Sequence, residues 1–550
     1  MNGPALGIQM TEATNKLYDV AIVGFGPAGA VAAGLLGGQG ISVFVCDKSH
    51  DVYELPRAFA LDHEIMRVFQ QLGIEDQVLA YTEPFTPSEF FGVDGQLIKR
   101  FTTVEPPYPL AYVPSLVFTQ PPVERILRAH VRSLATVDIA LGCQFTGLTQ
   151  DSKNVTLQVQ GVGEVRARYV LACDGATSTV RNAVGIGLQD LGFDQAWLVV
   201  DVLLNEQGLA KLPKTSVQYC EPERPCTFLI GPKNHRRWEI AINAAEDPKH
   251  LATPEGTWKL LSRWIAPADG TLWRQASYRF HALVADRWRV GRVFVAGDAA
   301  HQQPPFLGQG MCQGIRDVAN LSWKLAAVLR GEAGEGLLNS FGTERKTHVT
   351  ELTQRIKAIG QLIGERDVGK ARDRDAQLLA QCQGVVKSVP RQDVQPALQG
   401  GVLSAAPHAA RGTLFPQPWV VQGTSTRRLD AITGTGWRLV YRSSTSPCAL
   451  LGPIEVAREP ARQLQLRVVP VGDAAQPGAI TEADDVVNQW FQRHQCEAAL
   501  VRPDHYVYGI ATTTADVAAL LHEAATQVTA TAGPARASTD NLNKFIGDTV

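Results

Sequence analysis

Residues 19–48 read DVAIVGFGPAGAVAAGLLGGQGISVFVCDK, with no charged side chain between Asp19 and Asp47. A run this long and apolar has two readings: a membrane span, or a buried strand–turn–helix–strand unit. Gly34 and Gly38 even carry the small-xxx-small spacing of paired membrane helices. The order of residue types favours the second reading. VAIV and SVFVC are β-rich blocks. Between them PAGAVAAGLLGGQG is rich in Ala, Leu and Gly, and opens on Pro27, which suits a first helical turn. Strands buried on both faces lack charges without any lipid. Gly24-Phe25-Gly26-Pro27-Ala28-Gly29 fits G-x-G-x-x-G at the turn, and the second strand ends on Asp47, followed by Lys48. Gly24 permits the tight turn, Gly26 lets a pyrophosphate approach the backbone, and Gly29 lets helix and strand pack closely. The helix N-terminus points free N–H groups at phosphates, and Asp47 can accept from a ribose hydroxyl. The unit is expected to bind a dinucleotide and not to cross a membrane.

The chain has 550 residues, enough for two or three domains. With 52 Lys and Arg against 54 Asp and Glu, its net charge is −2, and no basic stripe points to nucleic acid. Residues 1–17 are polar and are expected to be a disordered lead-in rather than a signal peptide. Nine cysteines are scattered without C-x-x-C or metal-ligand spacing, so no metal is expected. Cys46 and Cys173 lie in apolar runs, which suits buried free thiols and a reducing cytoplasm.

The strand-to-polar-turn logic recurs twice. RARYVLACDGATSTVRNAVG holds a β-rich run from Tyr169 to Cys173, then Asp174-Gly175 and a helix start with Ser178 and Arg181. GRVFVAGDAAHQQPPFLGQGMCQGIRDVANLSWKLAAVLRG holds a strand from Val293 to Ala296 closed by Gly297-Asp298. A long helix then begins near Gln309, with Ile315, Val318, Leu321 and Leu325 at helical spacing and Gly331 as its stop.

Taken in order, G-x-G-x-x-G, C-D-G-x-x-S-x-x-R and G-D-A-A-H-x-x-P-P-x-x-G-Q-G resemble the group A aromatic flavoprotein monooxygenases, which carry FAD on a para-hydroxybenzoate hydroxylase-like fold. PRAFALDHEIMRVFQQLGI, FTQPPVERIL and GIRDVANLSWKLAAVL are similar to the 3-(3-hydroxyphenyl)propionate hydroxylases, and the likeness spans about residues 18–365. The resemblance implies that Asp298 accepts from the ribityl chain and that Gly308, Gln309, Gly310 and Met311 set a helix N-terminus against the flavin ring. It further implies that Gly297 and Pro305 shape that loop, that Arg57 approaches the pyrophosphate, that Gln120 contacts the cofactor, and that Asp174 serves FAD and nicotinamide binding. Cys312 departs from the Asn of many relatives. His301 reads as a structural histidine closing the turn. Arg57 as a surface ion-pair partner and Gln120 as a helix-entry residue are the plain alternatives.

Residues 185–285 alternate as a substrate-facing sheet does. Trp238, Ile240 and Ile242 fall on one face and Arg237, Glu239 and Ala241 on the other. Tyr219, His235, Arg236 and Arg237 are candidates for holding a phenol oxygen or carboxylate, and no catalytic base is assigned. Residues 366–411 read as a linker, with helices allowed over parts of it. Segments after Gly412 resemble the thioredoxin-like C-terminal domain of phenol hydroxylase, in which the lone Cys448 argues against disulfide chemistry and for a scaffold or dimer-contact role.

The expected fold is α/β (α+β): a Rossmann-like, GR2-type FAD-binding domain (18–184 and 286–365), an interleaved mixed-sheet substrate domain (185–285), and a thioredoxin-like domain (412–550). The expected activity is hydroxylation of a small aromatic substrate. NAD(P)H would reduce the flavin, and O2 would add to it as a C4a-hydroperoxide. No second glycine fingerprint exists for NAD(P)H, which the family binds transiently, and NADH and NADPH are not distinguished. Oxidation of a polyketide or antibiotic, Baeyer–Villiger chemistry, and a flavin-binding interaction protein without turnover stay open. The W-x-W-x-I-P of many flavin halogenases is absent.

Overall fold

The computed structural model describes residues 16–442, 447–472 and 479–530, without side chains for 447–451. Most of the expected lead-in, and the side chain of Cys448, therefore lie outside the described residues. The quoted stretch forms the strand Leu17–Val23, the helix Pro27–Gly37 and the strand Val43–Asp47. Every residue of that helix from Gly29 to Gly37 is buried, so no face of it carries charge. No described helix is long and apolar enough to cross a membrane.

Strand Leu17–Val23 lies between Val43–Asp47 and Gly163–Ala172, and the last of these pairs with Val293–Val295, all in parallel. Val23 stands opposite Ala172 and Cys46, and Ala172 stands opposite Val295. Three motifs distant in sequence thus leave one sheet at one level. Ligands of open parallel sheets bind beyond the carboxyl ends of the strands. There the chain enters Gly24, Asp47, Asp174 and Gly297.

A second sheet has nine strands, centred on the antiparallel trio Gly270–Ala285, Leu188–Leu204 and His235–Ala241. It continues through Cys226–Ile230 and Ser216–Tyr219. The expected range 185–285 is too narrow for it. Ser88–Phe91, Leu97–Thr102 and Ser388–Pro390 extend one edge, and His301–Gln302 adds to the other. Trp238, Ile240 and Ile242 pack into an apolar core beneath the sheet, as their alternation predicts.

The expected linker is ordered. It forms the helix Val368–Gln381, the strand Ser388–Pro390 and a short 3-10 turn, Arg391–Val394. Its sequence looks loose because polar anchors hold much of it. Asp375 accepts from the Val93 amide (2.8 Å), and Arg374 donates to the carbonyls of Leu362 (2.7 Å) and Cys220 (3.1 Å).

Beyond it lies a four-stranded mixed sheet in the order Arg467–Val471, Arg438–Arg442, Ala498–Val501, Val507–Ala511. Buried charges dock this unit. Asp430 accepts from Arg67 (2.5 and 3.0 Å) and Arg438 (2.6 Å). Burial opposes its charge, but the guanidinium groups hold its carboxyl far below the ordinary range. Tyr506 donates to Glu64 at 2.8 Å, and Arg502 to Glu344 at 2.7 Å.

Candidate functional site

The carboxyl ends of the parallel strands open on a cavity of about 630 Å³, a size typical of cofactor and small-molecule sites. Every cofactor candidate read from the sequence lines it except Gly29 and Gln309. Gly24 adopts φ +101°, and a Cβ there would stand 2.3 Å from the Cys173 carbonyl oxygen. A Cβ on Gly29 would stand 2.0 Å from the Gly24 oxygen, so Gly29 serves helix–strand packing. At Gly26 a Cβ would meet nothing within 4 Å, so this backbone borders open space.

Asp47 accepts from the Phe25 amide (2.6 Å) with one oxygen and the Ser49 amide (2.7 Å) with the other. It ties the glycine turn to the second strand, and a carboxylate has lone pairs left for a ribose. Asp174 Oδ2 accepts from Val180 N and Thr179 Oγ1, both at 3.1 Å, while its Oδ1 is buried without a partner among the described residues. Ser178 caps the next turn through Arg181 N at 2.9 Å. The Arg181 guanidinium bridges the second motif to the third, reaching the carbonyls of Ala176 and Ala299 at 3.1 Å each.

Asp298 faces the cavity, and the surrounding protein raises its proton affinity against the pull of His301 and Arg57. His301 is buried, 2.7 Å from Asp317, and stacked on Trp288. It closes the turn, as read from the sequence. The helix Gly310–Leu329 begins at the wall with Gly310 and Met311. Gln309 turns away: its oxygen accepts from Arg316 (3.0 Å) and Gln395 (2.9 Å). Cys312 is buried in the helix–strand contact, 3.6 Å from the Ala60 oxygen.

Gln120 organises the Arg57 loop, accepting from the amides of Arg57 (3.1 Å) and Ala58 (2.6 Å). Arg57 lies over the Tyr53 ring and has no ion-pair partner among the described residues, which counts against the surface-pair alternative.

The opposite wall is the second sheet. Of the four substrate candidates only Arg237 lines the cavity. Asp201 holds its guanidinium at 2.7 and 3.1 Å, and Arg237 in turn donates to the carbonyls of Arg57 (2.9 Å) and Pro56 (3.3 Å). The sheet thereby grips the Arg57 loop. Tyr219 falls on the other side of the pleat and accepts from Trp264 at 3.1 Å. Arg236, also on that side, donates to the carbonyls of Gly231, Lys233 and His235. His235 shares Arg237's parity but lies a step further along, buried 2.7 Å from Asp201 between Phe59 and Trp273.

Sequence reading missed Glu239, Thr227, Gln218, Gln303 and Arg391, which all line the cavity. For Glu239 a signal existed: a carboxylate on the strand face assigned inward. For Arg391 none existed, because it comes from the expected linker. Arg391 lies 4.1 Å over the Phe85 ring, donates to the Leu307 carbonyl (2.9 Å), and has no ion-pair partner among the described residues. Burial lowers its pKa to about 10.

The residues present fit FAD. The open backbone at Gly26, the unpaired Arg57, the partnerless Asp174 Oδ1, and Asp298 on the wall supply donors and acceptors for a dinucleotide. Among the described residues no group of side chains could hold a metal.

The chain matches the family described as FAD binding domain over residues 17–356, and the HcaD C-terminal domain over residues 412–527. It is 37% identical to a probable NADH-specific resorcinol 4-hydroxylase of Rhodococcus jostii (strain RHA1), over 94% of this chain and 96% of the relative. It is 32% identical to the 3-(3-hydroxy-phenyl)propionate/3-hydroxycinnamic acid hydroxylase of Burkholderia cenocepacia (strain HI2424), over 89% and 93%. Its fold matches the flavin-dependent monooxygenase PieE in complex with FAD and substrate (TM-score 0.78, 21% identity, 94% of this chain, 100% of the other). It also matches aklavinone-11 hydroxylase with FAD and aklavinone (TM-score 0.75, 24%, 94% and 99%). With its three motifs converging on one cavity and these full-length relatives, the chain belongs to the FAD-dependent aromatic hydroxylases of the group A flavoprotein monooxygenases.

Proposed function

We propose that the protein hydroxylates a small phenol of the resorcinol class, with NADH as electron donor and O2 as oxygen source. The observation that carries this reading is the 37% identity, over 94% of the chain, to a relative named as a probable NADH-specific resorcinol 4-hydroxylase. Phe59, Phe85, Leu229 and Phe306 give the cavity apolar walls of a kind that suits an aromatic ring.

In this reading the glycine turn, the N-terminus of Pro27–Gly37 and Arg57 hold the pyrophosphate of FAD. Asp47 takes the ribose, Asp298 the ribityl chain, and the N-terminus of Gly310–Leu329 the ring. That terminus favours negative charge by roughly 0.3–1 kcal/mol, up to about 2 when partly buried. Bound FAD supplies hydride acceptance and oxygen activation. The chain's own residues orient the substrate and keep water out: Arg237 fixes the loop between cofactor and ring, and the phenylalanines shield the ring. In this reading the substrate unit comprises residues 185–285 with 88–102 and 388–390, the last taken from the expected linker.

A second reading rests on Arg391. A half-buried cation with no ion-pair partner among the described residues suits a substrate that brings its own carboxylate, as 3-(3-hydroxyphenyl)propionate does. Purified, FAD-loaded protein should oxidise NADH faster than NADPH when resorcinol is added, and yield a product heavier by one oxygen. Stimulation by 3-(3-hydroxyphenyl)propionate alone favours the second reading. NADH consumption with no oxygenated product from either compound rejects both, and a lactone or ester product moves the protein to Baeyer–Villiger chemistry.

A further inference from the structure

We propose that Glu239 is the proton acceptor for the substrate's phenolic hydroxyl. The assignment rests on the phenol hydroxylation proposed above and adds the base that the sequence did not name.

Glu239 sits in the strand His235–Ala241, on the cavity side of the pleat. It is only 3% exposed, yet its Oε2 has no hydrogen-bond partner among the described residues. Leaving a buried polar group unpaired is costly, so a side chain held this way on a cavity wall points to a partner that arrives with the ligand. Its cross-strand neighbour is Thr227, whose own neighbour is Gln218. These two bond each other at 2.5 Å, and Gln218 also donates to Ser88 at 3.3 Å. Neither is spent on Glu239. All three residues line the cavity, in one row across three strands.

The charged groups acting on this carboxyl come from three strands. Arg237 lies on its own strand, Asp201 on Leu188–Leu204, and Arg274 on Gly270–Ala285. Arg237 is committed to Asp201, and Arg274 donates to the Pro56 carbonyl and the Tyr278 hydroxyl. Arg391 borders the cavity from the turn Arg391–Val394. Burial, opposed by Arg237, carries the carboxyl up to about 7. A base poised near the working pH combines a useful ionised fraction with a useful proton affinity.

The step balances simply. The substrate O–H bond breaks, its proton passes to Glu239, and the electron pair stays on the phenolate oxygen. That charge enriches the ortho and para carbons, where the oxygen enters. When the hydroxylated ring gives the proton of the attacked carbon to solvent water and regains aromaticity, Glu239 returns its proton to the phenolate oxygen.

The test uses the FAD-loaded full chain, NADH and resorcinol. Glu239→Gln keeps the shape of the side chain and removes its capacity to take a proton. Hydroxylated product should form about 100-fold more slowly or worse, with flavin content and resorcinol-induced changes in the flavin spectrum retained. Wild-type kcat/KM should climb with pH through an ionisation near 7, and that limb should vanish in the variant. The wild-type profile needs no variant: a rate flat between about pH 6 and about pH 8 overturns the assignment. So does a variant within about threefold of wild type. A wild-type protein that resorcinol does not stimulate overturns the functional reading beneath the assignment. Wild-type turnover that Glu239→Gln shares overturns the assignment alone.

Discussion

The wall proposed to face the cofactor and the wall proposed to face the ring draw their chemistry from different sources. On the cofactor side, turns at the ends of parallel strands present backbone amides and short carboxylates: Gly24, Gly26, Asp47, Asp174, Asp298. Asp47 is held by the amides of Phe25 and Ser49, and one oxygen of Asp174 by Thr179 and Val180. On the ring side, long side chains stand on a sheet assembled from segments scattered between residues 88 and 390, and they lean on one another across strands. Asp201 holds Arg237, Arg237 holds the carbonyls of Pro56 and Arg57, and Gln120 holds the amides of Arg57 and Ala58. A dinucleotide is recognised by backbone geometry that a short motif encodes, whereas an aromatic ring is recognised by a surface that several strands must build together.

The largest expected break in this comparison is Asp201→Ala. It leaves Arg237 buried without its counter-charge, and losing one partner of such a pair costs about 3–5 kcal/mol, read as a lower denaturation midpoint. Burial opposes the Asp201 charge, but Arg237 and His235 hold its carboxyl below the ordinary 3.8. Its contribution is therefore present above that value and lost as pH falls through the folded-state value. A wild-type midpoint in Asp201→Ala would mean that the ring wall is not held by this pair.

Next comes Asp298→Ala, which removes the carboxyl proposed to accept a hydrogen bond from a ribityl hydroxyl. The loss of about 1.5–3 kcal/mol should weaken FAD binding roughly 10- to 150-fold in a fluorescence titration of the apoprotein, with the fold intact. Full flavin occupancy at low micromolar FAD would misplace the third motif. Arg391→Gln sharpens the ring side. If a substrate carboxylate meets this guanidinium, KM for 3-(3-hydroxyphenyl)propionate should rise about tenfold, the equivalent of ~1.4 kcal/mol, while resorcinol is little affected. Equal effects on both compounds would remove Arg391 from substrate selection.

The smallest effect concerns stability and carries the opposite sign. Glu239 is raised from an ordinary 4.5 to about 7 by burial, so the fold favours its protonated form and loses stability as pH rises through that window. Glu239→Gln has no such loss. At about pH 8 it should melt no lower than wild type, and higher by up to ~2–4 °C if the cost is near 1 kcal/mol. A marked fall in melting temperature would show that the carboxylate is satisfied by the protein rather than waiting for a ligand.

Much of the cofactor wall was legible because its signals are local. A glycine with φ +101° at position 24, a contact only glycine can make at 29, and a polar residue ending a strand are all properties of a few neighbouring residues. Gln309 shows the limit. It stands next to Gly310 in the chain, yet the turn at the start of the helix points its side chain to Arg316 and Gln395. On the ring wall, alternation correctly placed Arg237 and Glu239 opposite Trp238 and Ile240, but parity alone could not say how far along the strand the cavity begins. His235 shares that parity and is buried beside Asp201 instead.

From its amino acids alone, this chain declares a dinucleotide fold, three cofactor loops and the alternating strands of a second sheet. These follow from short-range sterics, hydrogen-bond geometry and the period of the backbone. Assembly alone decided that Arg391 lines the cavity and that Arg237 grips the Arg57 loop. It also left one carboxylate oxygen of Glu239 without a partner among the described residues. Those features depend on which distant segments pack together, and the packing is set by the sum of many weak contacts rather than by any run of neighbouring residues.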